Sequence, residues 1–459
     1  MSSCIPAAVP DTKTLARRVL AATSISYIVV ILDTSIVNVA LERIAHALST
    51  DIAGLQWVVN AYTLAFASLL LSGGTLGDRW GARNVYLAGL AVFTLASALC
   101  GIAPSLIVLT GARVLQGIGA AMLVPCSLTL LNHAYPDPGE RTHAIGVWAG
   151  CGGAALVAGP LVGGILIDLF GWRSIFLANI PIGAIGIWMT ARIARNEKVP
   201  LTRHLDLSGQ LAAIIALGTL VTTLIEGPSL GWASPAVIIG AAICVMAWLA
   251  FLTIETRRAQ PMLPLSFFRN GLFAGSAIVA MATTLTFFGL IFVFSLYFQQ
   301  VRGYSPFRTG LAFLPLTAVV PGGNIVSGRW AKARGSRWPV LVGLGCSVIG
   351  FVGMVTSTPT SPYWLVGLPM LAIGLGGGLI TPAATAALMG TVEKSRAGIA
   401  AGVLNSARQT GAALGVAIFG TLIATLHPFE VGMRTALWMA AVLSFLSAVA
   451  WWHATRGRQ

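Results

Sequence analysis

Two charged residues lie deep inside apolar stretches of the sequence. Asp33 falls in the stretch 18–40, and Arg113 falls in the middle of the stretch 105–131. A carboxylate in hydrocarbon is costly unless it faces a cavity or a partner. Burial also favours its neutral form, so that such an acid can take up and release a proton, whereas arginine stays charged. We predict that Asp33 and Arg113 couple proton movement to a second process; the alternative is a purely structural contact.

Other polar side chains near or within the apolar stretches are candidates for ligand binding. Trp57 and Tyr62 also have a simpler explanation, since both residue types anchor helices at membrane interfaces. We expect some members of the group to line an outer vestibule. The predicted binding residues are Asn38, Gln56, Trp57, Asn60, Tyr62, Gln116 and Asn405.

Residue types that carry out covalent chemistry do not occur in a usable arrangement. No His stands at metal-ligand spacing from a carboxylate, and the Cys residues form no C-x-x-C pair. The sequence has no nucleophile elbow and no G-x-x-x-x-G-K-S/T phosphate loop. We therefore expect no metal, no cofactor and no enzymatic activity. An ATP-driven pump is excluded, and a channel is disfavoured because no filter sequence is repeated.

The elements that must position these residues are membrane helices. The chain has 459 residues, of which 56% are hydrophobic and 9% charged, and its mean hydropathy is +0.84. A membrane helix needs roughly 20 apolar residues. We predict an all-α polytopic protein that crosses the lipid bilayer with fourteen transmembrane helices. Their ranges are 18–40, 54–76, 84–103, 105–131, 143–168, 173–192, 208–227, 234–254, 272–298, 309–330, 337–357, 363–388, 399–424 and 434–453.

The distribution of basic residues predicts the orientation. An even number of spans places both termini on one side, and Lys and Arg concentrate in cytoplasmic segments of membrane proteins. If the termini are cytoplasmic, the basic residues of the outer segments are Arg43, Arg173, Arg302, Arg308 and Arg434; Arg113 and Arg408 lie within spans, and all others are inside. We predict a multi-pass protein of the plasma membrane, the inner membrane in bacteria, with cytoplasmic termini. The net charge of +14 forms no basic face, which excludes nucleic-acid partners.

An internal repeat divides the chain. The segment from Gly74 to Arg83 recurs from Gly328 to Arg337, and Gly117-x-Gly119-x5-Pro125 recurs as Gly374-x-Gly376-x5-Pro382. At nearly the same spacing, Gly146, Gly159 and Gly164 correspond to Gly402, Gly415 and Gly420. The repeat pairs spans 1–6 with spans 9–14. We predict two six-helix halves, 1–200 and 261–459, joined by an inserted helix pair at 201–260, which suits rocking around a site at the midplane.

Five motifs in order resemble the major facilitator superfamily, and more narrowly its fourteen-span drug:proton antiporter group, which includes methylenomycin-resistance-like exporters. They cover nearly the whole chain. The first, Leu32 to Leu41, is followed by Glu42 where the group usually has Pro, and Ala82 replaces one basic residue of the second. The motifs are Leu32–Leu41, Gly74–Arg83, Arg113-x-x-Gln116-Gly117-x-Gly119, Gly159-Pro160-x-x-Gly163-Gly164 and Asn405-x-x-Arg408-Gln409-x-Gly411.

The resemblance implies an antiporter that exports small, largely apolar toxic compounds or antibiotics by alternating access. It would be driven by the proton gradient without a cofactor and would act as a monomer. A proton-coupled transporter of one metabolite is the alternative. Charges after span 2 fit a latch, the span 5 motif would let that helix bend and pack closely, and the span 13 pair would lock helices. The gating residues are Gly74, Asp78, Arg79, Gly81, Arg83, Gly159, Pro160, Gly163, Gly164, Arg408 and Gln409.

Overall fold

The computed structural model describes residues 12–193, 206–258, 261–393 and 396–456. In these ranges the chain forms helices and no strand, and fourteen of the helical spans are long and apolar enough to cross a membrane. The predicted all-α class and the number of spans are therefore confirmed. The boundary predicted near residue 200 and most of the linker before it lie outside the described residues, as does the boundary at 260. Both domain limits stay predictions.

The fourteen spans follow one another with short connections. Span 6 has a break after Leu177, span 9 ends in a π-helical turn, and span 10 consists of three short helices. A 3-10 helix, Leu265–Arg269, precedes span 9. The spans are, in order, Thr12–Leu48, Ile52–Trp80, Ala82–Gly101, Leu106–Ala134, Pro138–Phe170, Ser174–Leu177 with Asn179–Ala191, Leu207–Leu230, Pro235–Arg257, Gly271–Leu296 with Tyr297–Val301, Pro306–Ala312 with Leu314–Ala318 and Val320–Arg334, Arg337–Val355, Trp364–Met389, Ala397–Thr425, and Phe429–Thr455.

We call the end of the bundle that carries residues 12 and 456 the terminal face and the opposite end the far face. Odd-numbered spans run from the terminal face to the far face, and even-numbered spans run back. Spans 2 and 10 both end at the terminal face in a glycine with positive φ, Gly81 at 89° and Gly335 at 76°. A side chain at either position would strain this backbone. These two glycines occupy corresponding positions of the repeat.

Small residues hold the helices of each half together in the same way. A Cβ on Gly119 would lie 2.8 Å from the carbonyl oxygen of Gly89, and one on Gly376 would lie 2.5 Å from that of Gly343. Spans 3 and 4 therefore touch as closely as spans 11 and 12. Close approach through small residues is how helices associate in lipid, where apolar burial between helices gains little. The duplication predicted from sequence thus corresponds to two similarly packed halves.

The last glycine of the repeat makes the contact between halves. A Cβ on Gly164 of span 5 would lie 2.6 Å from Cα of Phe307 in span 10, and a Cβ on Gly420 of span 13 would meet the side chain of Gln56 in span 2. Each half thus presents a glycine to the second helix of the other half. The pattern is that of two halves related by approximate two-fold symmetry.

Spans 5 and 10 contact each other mainly near the far face, whereas spans 2 and 13 also touch toward the terminal face, where a Cβ on Gly402 would collide with the side chain of Leu71. Near the far face, hydrogen bonds between halves involve Asn38, Glu42, Gln56 and Asp168 of the first half. Gly146 lies eighteen residues before Gly164, which is five helical turns along the same face of span 5. A Cβ on Gly146 would meet no atom within 4 Å, and neither would one on Gly328 of span 10. Spans 5 and 10 therefore separate toward the terminal face.

The inserted pair, spans 7 and 8, packs along the seam between the halves. From span 7, Gln210 binds Ser72 and the carbonyl of Ser68 in span 2. On the other side, Thr421 of span 13 donates to the carbonyl of Leu224, 2.6 Å away. Span 7 thus bridges both halves, whereas span 8 turns apolar residues such as Ile239 and Met246 outward, as a lipid-facing helix does.

Candidate functional site

Asp33 is fully buried at the centre of a polar network inside the first half. Its Oδ2 accepts a hydrogen bond from Arg113. Its Oδ1 accepts from Gln116, with 3.2 Å between N and O, and from Asn179, at 3.0 Å. Ser97 lies behind both amides and accepts from Gln116 at 2.7 Å. Spans 1, 3, 4 and 6 therefore meet at this carboxylate, and the donors stabilise its negative charge.

Arg113 is only 1% exposed, and both Nε and Nη1 of its guanidinium group donate hydrogen bonds. Its Nε donates to the carbonyl of Val58, 3.1 Å away, and its Nη1 donates to Oε1 of Gln116 at 2.8 Å. The guanidinium carbon lies 4.4 Å from the ring centroid of Tyr62, a cation–π distance. A buried charge is tolerated when it is paired and fully hydrogen-bonded. The network can therefore hold a charged pair in an apolar bundle.

Asn38 and Gln56, both predicted to bind ligand, lie at the contact between halves near the far face. The carbonyl of Asn38 accepts from Ser295 in span 9. Gln56 donates to the carbonyls of Val416 and Ala417 in span 13, at 3.0 and 2.7 Å. In this conformation both residues close the far face, and their ligand-binding role stays a prediction.

The other predicted residues at the start of span 2 have three different environments. Trp57 donates its indole N–H to Glu226 of span 7, 2.7 Å away, and so contacts the inserted pair. Tyr62 packs beneath Arg113. Asn60 is fully buried and neither atom of its amide group has a hydrogen-bond partner. Such an amide is costly as it stands and is satisfied only by a ligand, a water or a different conformation.

Polar residues lie in the terminal-face half of span 13. Asn405, Arg408 and Gln409 are half-buried. Arg408 donates to Thr385 of span 12 at 2.7 Å, which ties spans 12 and 13 together. It also lies within electrostatic range of the Tyr27 hydroxyl in the first half. This region brings charge from one half close to an aromatic side chain of the other.

The loop motif after span 2 packs against its own half. Arg83 donates to the carbonyl of Ala191 at the end of span 6, 2.7 Å away. Asp78 is half-buried in the last turn of span 2, and Arg79 is exposed. A Cβ on Gly74 would make an ordinary contact with Pro125, at 3.5 Å. The loop motif predicted to act as a latch thus packs against spans 4 and 6 of its own half. Its gating role stays a prediction.

The residues of the span 5 motif contact two different helices. Gly159 and Gly163 face span 1, where a Cβ would collide with Ser35 and Ile36 respectively. Pro160 and Gly164 face span 10, and a Cβ on Gly310 of that span would collide with the carbonyl of Pro160. Span 5 therefore packs against span 1 of its own half through one face and against span 10 of the other half through the adjacent face.

Sequence reasoning missed several residues of these sites. Ser97 and Asn179 complete the network around Asp33, and the only sequence signal was their polarity within apolar spans. Tyr27 and Trp148 stack with ring centroids 3.8 Å apart, which joins spans 1 and 5. Glu226 of span 7 accepts a hydrogen bond from Trp57, which joins the inserted pair to span 2. Pairings between distant helices leave no periodic signal in a single sequence.

The fold and these contacts define a class of protein. Two related six-helix halves, with spans 5 and 10 in contact near one face and separated toward the other, and with a buried ion pair inside one half, form the architecture of a secondary transporter. Comparison with known families agrees with this class. Residues 23–416 match the family model of the Major Facilitator Superfamily, and the chain belongs to that family.

Relatives and solved structures of similar architecture extend over most of the chain. The chain is 36% identical over 444 residues to the "Methylenomycin A resistance protein" of Bacillus subtilis, which covers 96% of this chain and 95% of the relative. It is 37% identical to the "Drug efflux pump JefA" of Mycobacterium tuberculosis, covering 89% and 80%. A crystal structure of a POT peptide transporter in complex with sulfate superposes with a TM-score of 0.69 at 15% identity, covering 96% and 98%. That last likeness concerns the fold alone.

Proposed function

We propose that this protein is a proton-coupled antiporter that exports small, largely apolar toxic compounds by alternating access. The names of the relatives, a resistance protein and a drug efflux pump, support export of this kind of compound. The observation that carries the proton coupling is the buried ion pair of Asp33 and Arg113, in which a carboxylate that can bind a proton lies against a permanent cation.

The proton would act by exchanging partners within the first half. When Asp33 is ionised, it accepts from Arg113, Gln116 and Asn179, as in the conformation with the far face closed. A proton on Asp33 removes the counter-charge of Arg113, which keeps only the carbonyl of Val58, Gln116 and the Tyr62 ring. Because one buried charge without its partner is unstable, spans 1, 4 and 6 must repack, and this repacking would change the relative stability of the outward-facing and inward-facing states.

Substrate would enter from the terminal face, between spans 5 and 10. The stacked Tyr27 and Trp148 offer an apolar surface on the first half, and Arg408 and Gln409 offer hydrogen-bond donors on the second. Such a mixed site suits amphipathic molecules with a large apolar part. We further propose that the protein lies in the plasma membrane with cytoplasmic termini, acts as a monomer, and needs neither a cofactor nor chemical conversion of its substrate.

The test is a growth-inhibition panel of toxic compounds with and without expression, followed by efflux measurements on the protected compounds. We expect protection against several apolar compounds and loss of efflux when an uncoupler collapses the proton gradient. Efflux that persists at full rate with the uncoupler would exclude proton coupling. Protection against no compound, together with uptake of one metabolite, would favour the alternative of a metabolite transporter.

A further inference from the structure

Two carboxylates meet at the terminal-face end of the inserted helix pair. Asp206 precedes span 7, and Glu255 lies in the last turn of span 8; they are 9% and 3% exposed. Neither residue belongs to the motifs considered for transport, and both lie far along the chain from Asp33. Two buried acids of like charge close to each other are unfavourable unless something neutralises one of them.

Each carboxylate has one oxygen that is well satisfied. Oδ1 of Asp206 accepts from the backbone N–H of Gly209 at 2.9 Å and from the Ser208 hydroxyl at 3.0 Å, which caps the first turn of span 7. Oε2 of Glu255 accepts from the backbone N–H of Leu263, 2.9 Å away, in the connector that leads into the second half. Asp206 therefore stabilises the start of span 7, and Glu255 ties the end of span 8 to the connector.

The other two oxygens have no hydrogen-bond donor. Oδ2 of Asp206 and Oε1 of Glu255 are buried and unpartnered. Both lie 2.8 Å from the point where a Cβ on Gly209 would stand, so the two oxygens are at most twice that distance apart. A hydrogen atom on either oxygen would supply the donor that the other lacks, because a protonated carboxyl group donates one O–H.

The neighbouring charges leave one negative charge of the two carboxylates without a counter-charge. Arg258 has its Nη2 3.4 Å from Oδ1 of Asp206 and donates to the hydroxyl of Ser208 at 2.6 Å. Arg257 lines the outer surface beside Ser208 with an exposed side chain. In the described part of the chain, the two buried carboxylates of Asp206 and Glu255 and the exposed guanidinium of Arg258 together carry one excess negative charge, which a single proton neutralises. Among the described residues no third His, Cys, Asp or Glu joins it in a metal-binding group.

We propose that Asp206 and Glu255 share one proton and form a proton-binding site at the terminal-face end of the inserted pair. The proton bridges the two bare oxygens and holds span 7, span 8 and the connector together. When the pH at this face rises, the proton leaves, the two carboxylates repel each other, and this end of the hairpin loosens. The site is independent of Asp33 and of the proposed transport reaction.

The first test follows thermal unfolding of the purified full-length protein from about pH 5 to about pH 9. A group that holds a proton in the folded state stabilises it at low pH and loses this contribution as pH rises. We expect the wild-type Tm to fall over this range by a few degrees more than that of Glu255→Gln, whose amide replaces the shared proton as donor. The control is Asp51→Asn, an isolated carboxylate that caps span 2, which should keep the wild-type profile.

A second variant guards against failure of Glu255→Gln to fold. Gly209→Ala places a methyl group between the bare oxygens and should move the pH midpoint of the Tm profile downward, because separated carboxylates hold the proton less tightly. Infrared spectra in the Asp33→Asn background should show the C=O stretch of a protonated carboxylic acid near neutral pH that Glu255→Gln loses. Unchanged pH profiles in both variants would overturn the proposal. A Tm that rises with Na⁺ or Ca²⁺ at fixed pH in wild type but not in Glu255→Gln would assign a cation site instead.

Discussion

At the residue scale, the environment of Asp33 explains why one carboxylate can serve as the coupling acid. It accepts from three side chains contributed by two other spans, and one of them, Arg113, is a permanent cation. We expect Asp33→Asn to abolish uphill transport driven by a pH gradient in proteoliposomes, since the amide cannot exchange a proton. Asp51→Asn at matched protein amounts should transport normally. Uphill transport by Asp33→Asn would remove Asp33 from the mechanism.

Substitutions of Asp33 and Arg113 should affect the stability of the protein differently from its transport activity. Asp33→Asn leaves the guanidinium of Arg113 buried without its counter-charge, and removal of one partner of a buried pair costs about 3–5 kcal/mol. We expect a clearly lowered Tm for Asp33→Asn and substantial recovery of Tm in the double variant Asp33→Asn with Arg113→Gln, which removes both charges. Transport should be absent in both. A double variant no more stable than the single one would show that the two side chains do not act as a pair.

At the element scale, span 5 uses adjacent faces for different purposes. Gly159 packs it against span 1 of the same half, whereas Gly164 packs it against span 10 of the other half. The first contact should persist through the transport cycle because each half moves as a unit. The second should exist only while the far face is closed, since it joins the halves there.

This difference predicts the effect of a bulky residue at Gly164. Gly164→Leu should weaken far-face closure, because the added side chain cannot fit against the backbone of Phe307. In a protein without its native cysteines, a cysteine at position 38 should then react faster with an impermeant thiol reagent from the far side. Gly146→Leu is the matched control, since it lies on the same helix face where a Cβ meets nothing within 4 Å. Equal labelling rates in the two variants would contradict this account of closure.

At the scale of the whole molecule, orientation in the membrane decides which face opens to the cytoplasm. We predict that a cysteine placed between Arg329 and Arg337 reacts only with reagent on the cytoplasmic side. A cysteine near Gly303, at the far face, should react only from outside. The physical reason is the concentration of Lys and Arg at the terminal face. Labelling with the sides reversed would overturn the predicted orientation and, with it, the direction of export.

The sequence by itself was sufficient for properties that depend on local length and composition. A hydrocarbon layer of fixed thickness demands a minimum apolar run, so the number of spans and the all-α class followed from counting. The repeated glycines also indicated two related halves, because close helix contacts demand small residues at set positions. For Asp33 and Arg113, the cost of a charge in hydrocarbon was enough to predict that each needs a partner.

Only the tertiary structure decided which partners these residues have. Asn179 reaches Asp33 from span 6, Trp57 reaches Glu226 in the inserted pair, and Asp206 meets Glu255 across a hairpin. Each pairing depends on the rotation and tilt of whole helices, which arise from packing summed over many small contacts. Closure of the far face is decided at the same level, because Gly164 and Gly146 are identical residues on one helix face, and only the position of span 10 makes one packed and the other bare.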